Sequence, residues 1–369
     1  MQFSKLFKGL LAAAAVAVVM VQPAAAQTNS NIPREVVNNV VQNIIQNVRD
    51  QIQQRKIVSR SGVMRFSGET SDFDGRDPFA SNGISDPFSA LAYAKAPYTK
   101  APALAAPPVA TWLYGANLVG SGDKGTTLGT ETSVATVTGA FDVTKIGIFT
   151  ATDALTFIGT GSHTWSHAFT GGTAFAGPFV FDGSVPSTSG TLSYINGGFS
   201  ADFTALASWT RTSTNLAIVG GIPDASSAAY TLNGQYRFDF PYTVWIEPTA
   251  GVTYTEAYTA NFGSKTGETT EVHGGARAGF ETKWMGFTIQ PTVSGQVFKI
   301  VDISGFGAGS VDGAYGGRGS GKITVLWTPQ FSSFIEIHAS GTTLPKTGLA
   351  LGTSGTQVVG TQAGLRYTW

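Results

Sequence analysis

The sequence contains no cysteine, so its 369 residues have neither a disulfide framework nor a thiolate for nucleophilic or metal chemistry. Charge is scarce as well: Asp, Glu, Lys and Arg make up 12% of the chain, about half the share of a soluble domain, and balance to zero. A balanced chain has no electrostatic claim on nucleic acid or on anionic lipid. Histidine is limited to His163, His167, His273 and His338, without metal-ligand spacing, and there is no acidic calcium loop. No metal or cofactor is therefore expected. Long apolar runs are missing too, since the stretch from Gly9 to Val21 is only 13 residues, short of a helical membrane span. What is abundant instead is Gly, Ser and Thr, with 46 glycines alone. Low charge without long apolar stretches suits a membrane β-barrel, in which each strand shows lipid only every second side chain. A soluble β-sandwich or solenoid shares that composition, so pattern has to decide.

The first 26 residues carry the three zones of a secretory leader: Lys5 and Lys8, the apolar run to Val21, and Pro23 followed by Ala24, Ala25 and Ala26. Cleavage is expected between Ala26 and Gln27. Residues 27–56 hold the one convincing helix, from Arg34 to Lys56, with Pro33 at its start and Val37, Val41, Ile44, Val48 and Ile52 at three- and four-residue steps. Its other face is Asn, Gln, Arg and Asp. Such a helix buries its stripe in a coiled coil, on a partner or at a membrane surface. Self-association or docking is preferred here over a lumen plug, because a polar lumen is a poor home for so many Val and Ile side chains. Residues 57–108 lack periodicity and are punctuated by Asp77-Pro78, Asp86-Pro87, Ala96-Pro97, Ala101-Pro102 and Pro107-Pro108, which marks a linker.

From residue 109 to 369 the period changes to two. Turn signals at Gly197, Pro241, Met285 and Pro329 are 44 residues apart, and stepping back by the same interval reaches Asp153 and Val109. Each interval reads as strand, polar loop, strand. The fold expected is all-β, a closed antiparallel transmembrane β-barrel of about 12 strands preceded by the short helix and linker. Long surface loops are expected at 120–130, 168–188, 212–227, 259–268, 302–317 and 342–355, with short turns on the other side.

Alternation assigns the faces. Phe199, Ala201, Phe203, Ala205, Ala207 and Trp209 are expected on the lipid side, as are Tyr230, Leu232, Tyr236, Phe238 and Phe240. The opposite face collects the charge: Asp202, Arg237, Asp239, Glu247, Arg277, Glu281, Glu336 and Arg366, with Glu271 and Lys283 beside them. Mixed signs read as a cross-strand network inside the lumen rather than an ion-selective ring. On this reading Arg277→Gln leaves assembly nearly intact. His338 is expected to pair with Glu336, two residues away on the same face. Ser162 beside His163 is a chance neighbourhood in a Ser-rich chain, and no catalytic residue is assigned. Gly307-Ala308-Gly309 and Gly316-Gly317 lack the strand-before, helix-after context of a phosphate loop.

At the carboxyl end, Gln362, Gly364 two residues later, and the alternating Leu365, Tyr367 and Trp369 resemble the terminal assembly signal of outer-membrane barrels. Together with the strand count and the opening Trp112-Leu113-Tyr114-Gly115, residues 109–369 resemble the autotransporter β-domain, or translocator, of proteobacteria. The resemblance implies a bacterial outer-membrane location, the lipid bilayer and the barrel-assembly machinery as partners, and a barrel that accompanies export of an N-terminal passenger, often with a helix through the pore just before the first strand. The chain departs from that pattern in two ways. Residues 27–108 hold no β-solenoid or enzymatic domain, and the helix ends about 50 residues before the first strand. A non-enzymatic barrel that translocates or anchors its short N-terminal segment is the function expected. The alternative is a small porin-like diffusion channel with a periplasmic partner-binding helix.

Overall fold

A computed structural model describes residues 44–45, 48–49, 51–52, 112–127, 130–150, 153–170, 179–214, 224–305, 313–343 and 356–369. The leader, its cleavage point at Ala26 and Gln27, and the linker lie outside these residues. The described part is one antiparallel sheet of twelve strands in chain order. They are β1(Trp112–Thr127), β2(Thr130–Ile146), β3(Asp153–Thr170), β4(Phe179–Asn196) and β5(Phe199–Thr214), then β6 in two pieces, Ala225–Tyr236 and Phe238–Asp239. There follow β7(Val244–Thr259), β8 in two pieces, Lys265–Phe280 and Thr282–Trp284, β9(Phe287–Gly305), β10(Tyr315–Leu326), β11(Phe331–Thr343) and β12(Thr356–Thr368).

Every strand pairs with its sequence neighbours, and β12 returns to β1, from Gly115 opposite Thr368 to Thr126 opposite Gln357. Backbone bonds between Tyr114 and Trp369 in both directions, at 3.0 and 3.1 Å, finish the seam. Closure removes the open edge that hydrocarbon forbids, because no water is there to satisfy a free N–H or C=O.

The strands are joined at one rim by short turns that include residues 147–150, Gly197-Gly198, the 3-10 turn Pro241–Thr243, Met285-Gly286 and residues 327–330. Gly197 sits at φ 56°, a left-handed conformation that glycine adopts without steric cost. In the first of these turns the Asp153 carboxylate accepts the backbone N–H groups of Ile148 and Phe149 at 2.8 and 2.9 Å. Both ends of the sheet, Trp112 and Trp369, lie at this rim, which is periplasmic in outer-membrane barrels.

The opposite rim differs from expectation. β1 runs on to Thr127 and β2 begins at Thr130 where a long loop was anticipated from 120 to 130, and a tight turn over Ala260–Phe262 replaces the loop at 259–268. Gly, Ser and Thr signal a loop in a soluble protein. In a barrel wall the neighbouring strands supply the backbone bonds whatever the side chains are, so these segments stay extended beyond the membrane.

Alternation carries through the wall. On β6, Tyr230, Leu232, Tyr236 and Phe238 are exposed while Thr231, Asn233 and Gln235 are buried. On β7 the outward Val244, Ile246 and Val252 are exposed, and Tyr254 tops the series. That apolar stretch is nine residues long, the length of a tilted membrane-spanning strand. Aromatic side chains ring both ends of this band. Tyr114, Phe141 and Trp369 stack at 6.1 to 6.5 Å near the short-turn rim, and Trp209, Tyr258 and Phe262 meet edge to face near the other. The outer surface is thus a lipid belt between two interfacial girdles.

Folded protein should migrate differently on denaturing gels before and after boiling, and Ala250→Arg, midway along the outward series from Val244 to Tyr254, should lower the stability of that species by about 2–4 kcal/mol, while Ile246→Arg, close to the Pro241–Thr243 rim turn, should cost less. Equal mobility of the two samples would contradict a closed barrel, and a silent Ala250→Arg would move the belt elsewhere.

Candidate functional site

The inward face is held together by hydroxyl groups and by charge. Thr and Ser at opposed positions meet across strands, as in Thr136 with Thr164 at 2.9 Å, Thr191 with Thr204 at 2.8 Å, Thr231 with Thr253 at 3.0 Å and Ser208 with Ser227 at 2.6 Å. A hydroxyl both donates and accepts, so a ladder of them satisfies itself without net charge. This accounts for the Ser and Thr abundance of the chain.

The charged positions named from the sequence fall into distinct groups. Glu247 is fully buried, and its Oε1 accepts from Arg277 at 2.6 Å, with Gln235 Oε1 a further acceptor for the same guanidinium at 3.3 Å. Arg237 is buried at the short-turn mouth, where its Nε donates to Asp239 at 2.7 Å and Glu281 lies 3.9 Å away. Asp239 and Glu281 remain partly open to solvent there. Asp202 and Glu336 are buried on the inward face. Arg366 donates to Asp142 at 2.7 Å.

His338 does not follow expectation. Its Nε2 lies 2.6 Å from Oδ1 of Asp123, on β1, rather than pairing along its own strand with Glu336. The contact passes over β12 at Gly360, where an added Cβ would collide with both partners. Arg366 on β12 reaches Asp142 on β2 by passing over β1. A histidine–carboxylate contact and an ion pair therefore straddle the closing seam, one toward each rim.

Three inward aromatics break the polar pattern. Trp245 lies under Arg237 at 4.7 Å, Phe298 under Arg318 at 4.0 Å and Phe334 under Lys322 at 3.9 Å, all measured to the ring centroid. Each ring also covers a glycine of a neighbouring strand: Gly279, Gly316 and Gly364 respectively. Gly364 in the terminal motif thus has a physical reason, since a Cβ there would stand 2.5 Å from the Phe334 ring. In that motif Gln362 faces the lumen and is buried, whereas Tyr367 and Trp369 point outward and stack at 5.9 Å.

The described part of the helix also faces the wall. Ile44, Ile45, Val48 and Ile52 are 0 to 4% exposed and pack against Ala154, Ile158, Val185, Ile195, Leu206 and Ala229. Those six wall residues point inward from β3 to β6. Among the described residues, Ile44, Val48 and Ile52 of the stripe thus rest on the chain's own barrel; Val37 and Val41 lie outside the described residues. The lumen was expected to be polar, but this sector of it is apolar. Arg49 leaves the same helix in another direction, and its Nη2 donates to Asn233 Oδ1 at 2.5 Å and lies 3.0 Å from His273 Nε2.

Ser162 and His163 face opposite sides of the wall. Ser162 Oγ meets Ser187 Oγ at 2.5 Å inside, and His163 lies outside against Trp165 and Ser184. The His163 imidazole thus meets the Ser184 hydroxyl at 3.1 Å on the outer wall, not its sequence neighbour Ser162. Among the described residues no group of three His, Asp or Glu is placed to hold a metal ion.

No protein-family model and no curated protein sequence matches the chain. Solved structures do. The β-domain of the Bordetella autotransporter BrkA superposes with a TM-score of 0.51 at 16% identity, over 69% of this chain and 98% of that one. The transport unit of the autotransporter AIDA-I from Escherichia coli gives 0.46 at 11% identity, over 70% and 90%. An outer-membrane channel from Pseudomonas putida F1 gives 0.42 at 11% identity, over 72% and 97%.

The buried pair on β7 and β8 reverses the expectation for Arg277. Arg277→Gln leaves the Glu247 carboxylate buried without its cation and should cost about 3–5 kcal/mol, while the double variant with Glu247→Gln should recover most of that loss. The thermal transition of the heat-modifiable species measures it; additive losses would show that the two side chains do not act as a pair.

Proposed function

We propose that this chain, which folds as an autotransporter-type outer-membrane β-barrel, anchors its own N-terminal segment through the barrel lumen and performs no covalent chemistry. The observation that carries this reading is the seating of Ile44, Val48 and Ile52 on the apolar sector of the inner wall. A helix destined for the periplasm would have no use for that sector. A diffusion pore would gain nothing from Ile158, Val185 and Leu206 facing inward, because apolar wall residues weaken the hydration of a passing solute. On this reading residues 27–108 are the cargo, and the barrel either exports them or holds them at the surface. The helix also closes the lumen.

Single-channel recording separates this from a porin-like channel. The full chain should hold a closed state, and a chain lacking residues 27–108 should conduct. Equal open conductance from both would overturn the anchoring reading and favour the channel.

The proposal extends to assembly, with the bilayer and the barrel-assembly machinery as partners. The final strand must meet β1 before either edge is satisfied, and Trp369 makes both backbone bonds and ring contacts to that first hairpin. Replacing Tyr367 and Trp369 with Ser should therefore leave unassembled protein in the periplasm, while Val293→Ser with Val297→Ser, two lipid-facing losses in β9, should still insert. Similar heat-modifiable yields from both variants would reduce Trp369 to one more girdle aromatic.

A further inference from the structure

We propose that the lumen wall contains a guanidinium receptor built from Asn233, His273 and Asp202, and that Arg49 of the chain's own helix is its resident ligand. The inference rests on the lumen-anchored reading above and names the contact that fixes the helix there.

Asn233 on β6 and His273 on β8 flank Gly251 on β7 in register, so their inward side chains meet over that glycine. Oδ1 of Asn233 and Nε2 of His273 are 2.8 Å apart, and a Cβ on Gly251 would stand 2.3 Å from the first and 2.6 Å from the second. The cradle exists only because position 251 has no side chain. Its polarity is also set. Asn233 Nδ2 donates to Asp202 Oδ2 at 2.8 Å, which turns Oδ1 toward Arg49 as an acceptor. Oδ1 can only accept, so across the 2.8 Å contact the His273 Nε2–H donates to it and holds it beside Arg49 Nη2. Asn233 and His273 are 2% and 7% exposed, Arg49 is 7% exposed, and the carboxylates of Asp202 and Glu271 stand behind Asn233 and His273.

Both contacts are made by the single nitrogen Nη2, so the preference for arginine rests on hydration: a guanidinium is more weakly hydrated than an ammonium and enters a buried site at lower desolvation cost than lysine. The two halves of the helix contact then do different work. Ile44, Val48 and Ile52 can slide along an apolar wall with little penalty, whereas Arg49 has one place to go. The polar contact sets the rotation and depth of the helix in the lumen.

The test uses the full-length protein in planar bilayers, with gel mobility before boiling as a check of folding. Wild type should stay closed. Arg49→Ala should raise the open probability by roughly tenfold or more, the scale of one lost charge-assisted hydrogen bond. Arg49→Lys should resemble Arg49→Ala. Millimolar guanidinium chloride should restore closure to Arg49→Ala, equal sodium chloride should not, and guanidinium should fail once Asn233→Leu is added. If wild type is closed and Arg49→Ala is equally closed, the receptor is wrong while the lumen-anchored reading stands. A closed Arg49→Lys, or rescue that survives Asn233→Leu, also overturns it. An open wild type removes both readings together.

Discussion

Everything in this structure follows from one requirement: in hydrocarbon a backbone N–H or C=O has no partner except another backbone group. A sheet meets that requirement only by closing on itself, which β12 does against β1. Once the ladder is closed, side chains outside need only be compatible with lipid, and those inside need only satisfy one another. The sparse charge of the chain, 12% of residues, is enough for this because so much of the inner wall is paired hydroxyl.

The inner wall divides into sectors. From β3 to β6 it offers Ile158, Val185, Ile195 and Leu206, on which the helix rests. Further round, between β7 and β12, it carries Glu247 with Arg277, Glu271 with Arg318, and the cations laid over Phe298 and Phe334. A buried cation over an aromatic face gains attraction from the ring while its donors remain available to carboxylates nearby. Arg318 does both, donating to Glu271 at 2.7 Å and to Gln296 at 3.1 Å from above the Phe298 ring. The helix crosses this division, with its apolar stripe on one sector and Arg49 at the edge of the other.

Much of the barrel is legible in the sequence because its signals are local. Strand period, turn residues and the lipid face of β5 and β6 depend on neighbours one or two positions apart, and these were read correctly down to Phe199, Trp209, Tyr230 and Phe240. Contacts inside the lumen are not local. Arg49 meets residues 184 and 224 positions away, and His338 meets one 215 positions away. Hydrophobicity alone does not assign a face where several apolar residues adjoin. Val244 and Ile246 are exposed, while Trp245 between them turns inward and is 1% exposed. Pairing His338 with Glu336 assumed that shared face means contact, but positions two apart on a strand are roughly 7 Å apart, and Asp123 reaches His338 from two strands away because Gly360 between them has no side chain.

The pairs Asp123 with His338 and Arg366 with Asp142 bear on the girth of the barrel. If β1 slid two residues along β12, every lipid-facing side chain would still face lipid and every backbone bond could be remade, so neither belt nor ladder opposes the slip. Such a slide would carry the partners of both contacts roughly 7 Å apart at once, near opposite ends of the seam. The stagger at which a sheet closes fixes its diameter. These four side chains therefore select one barrel width, and with it the clearance left around anything the lumen holds.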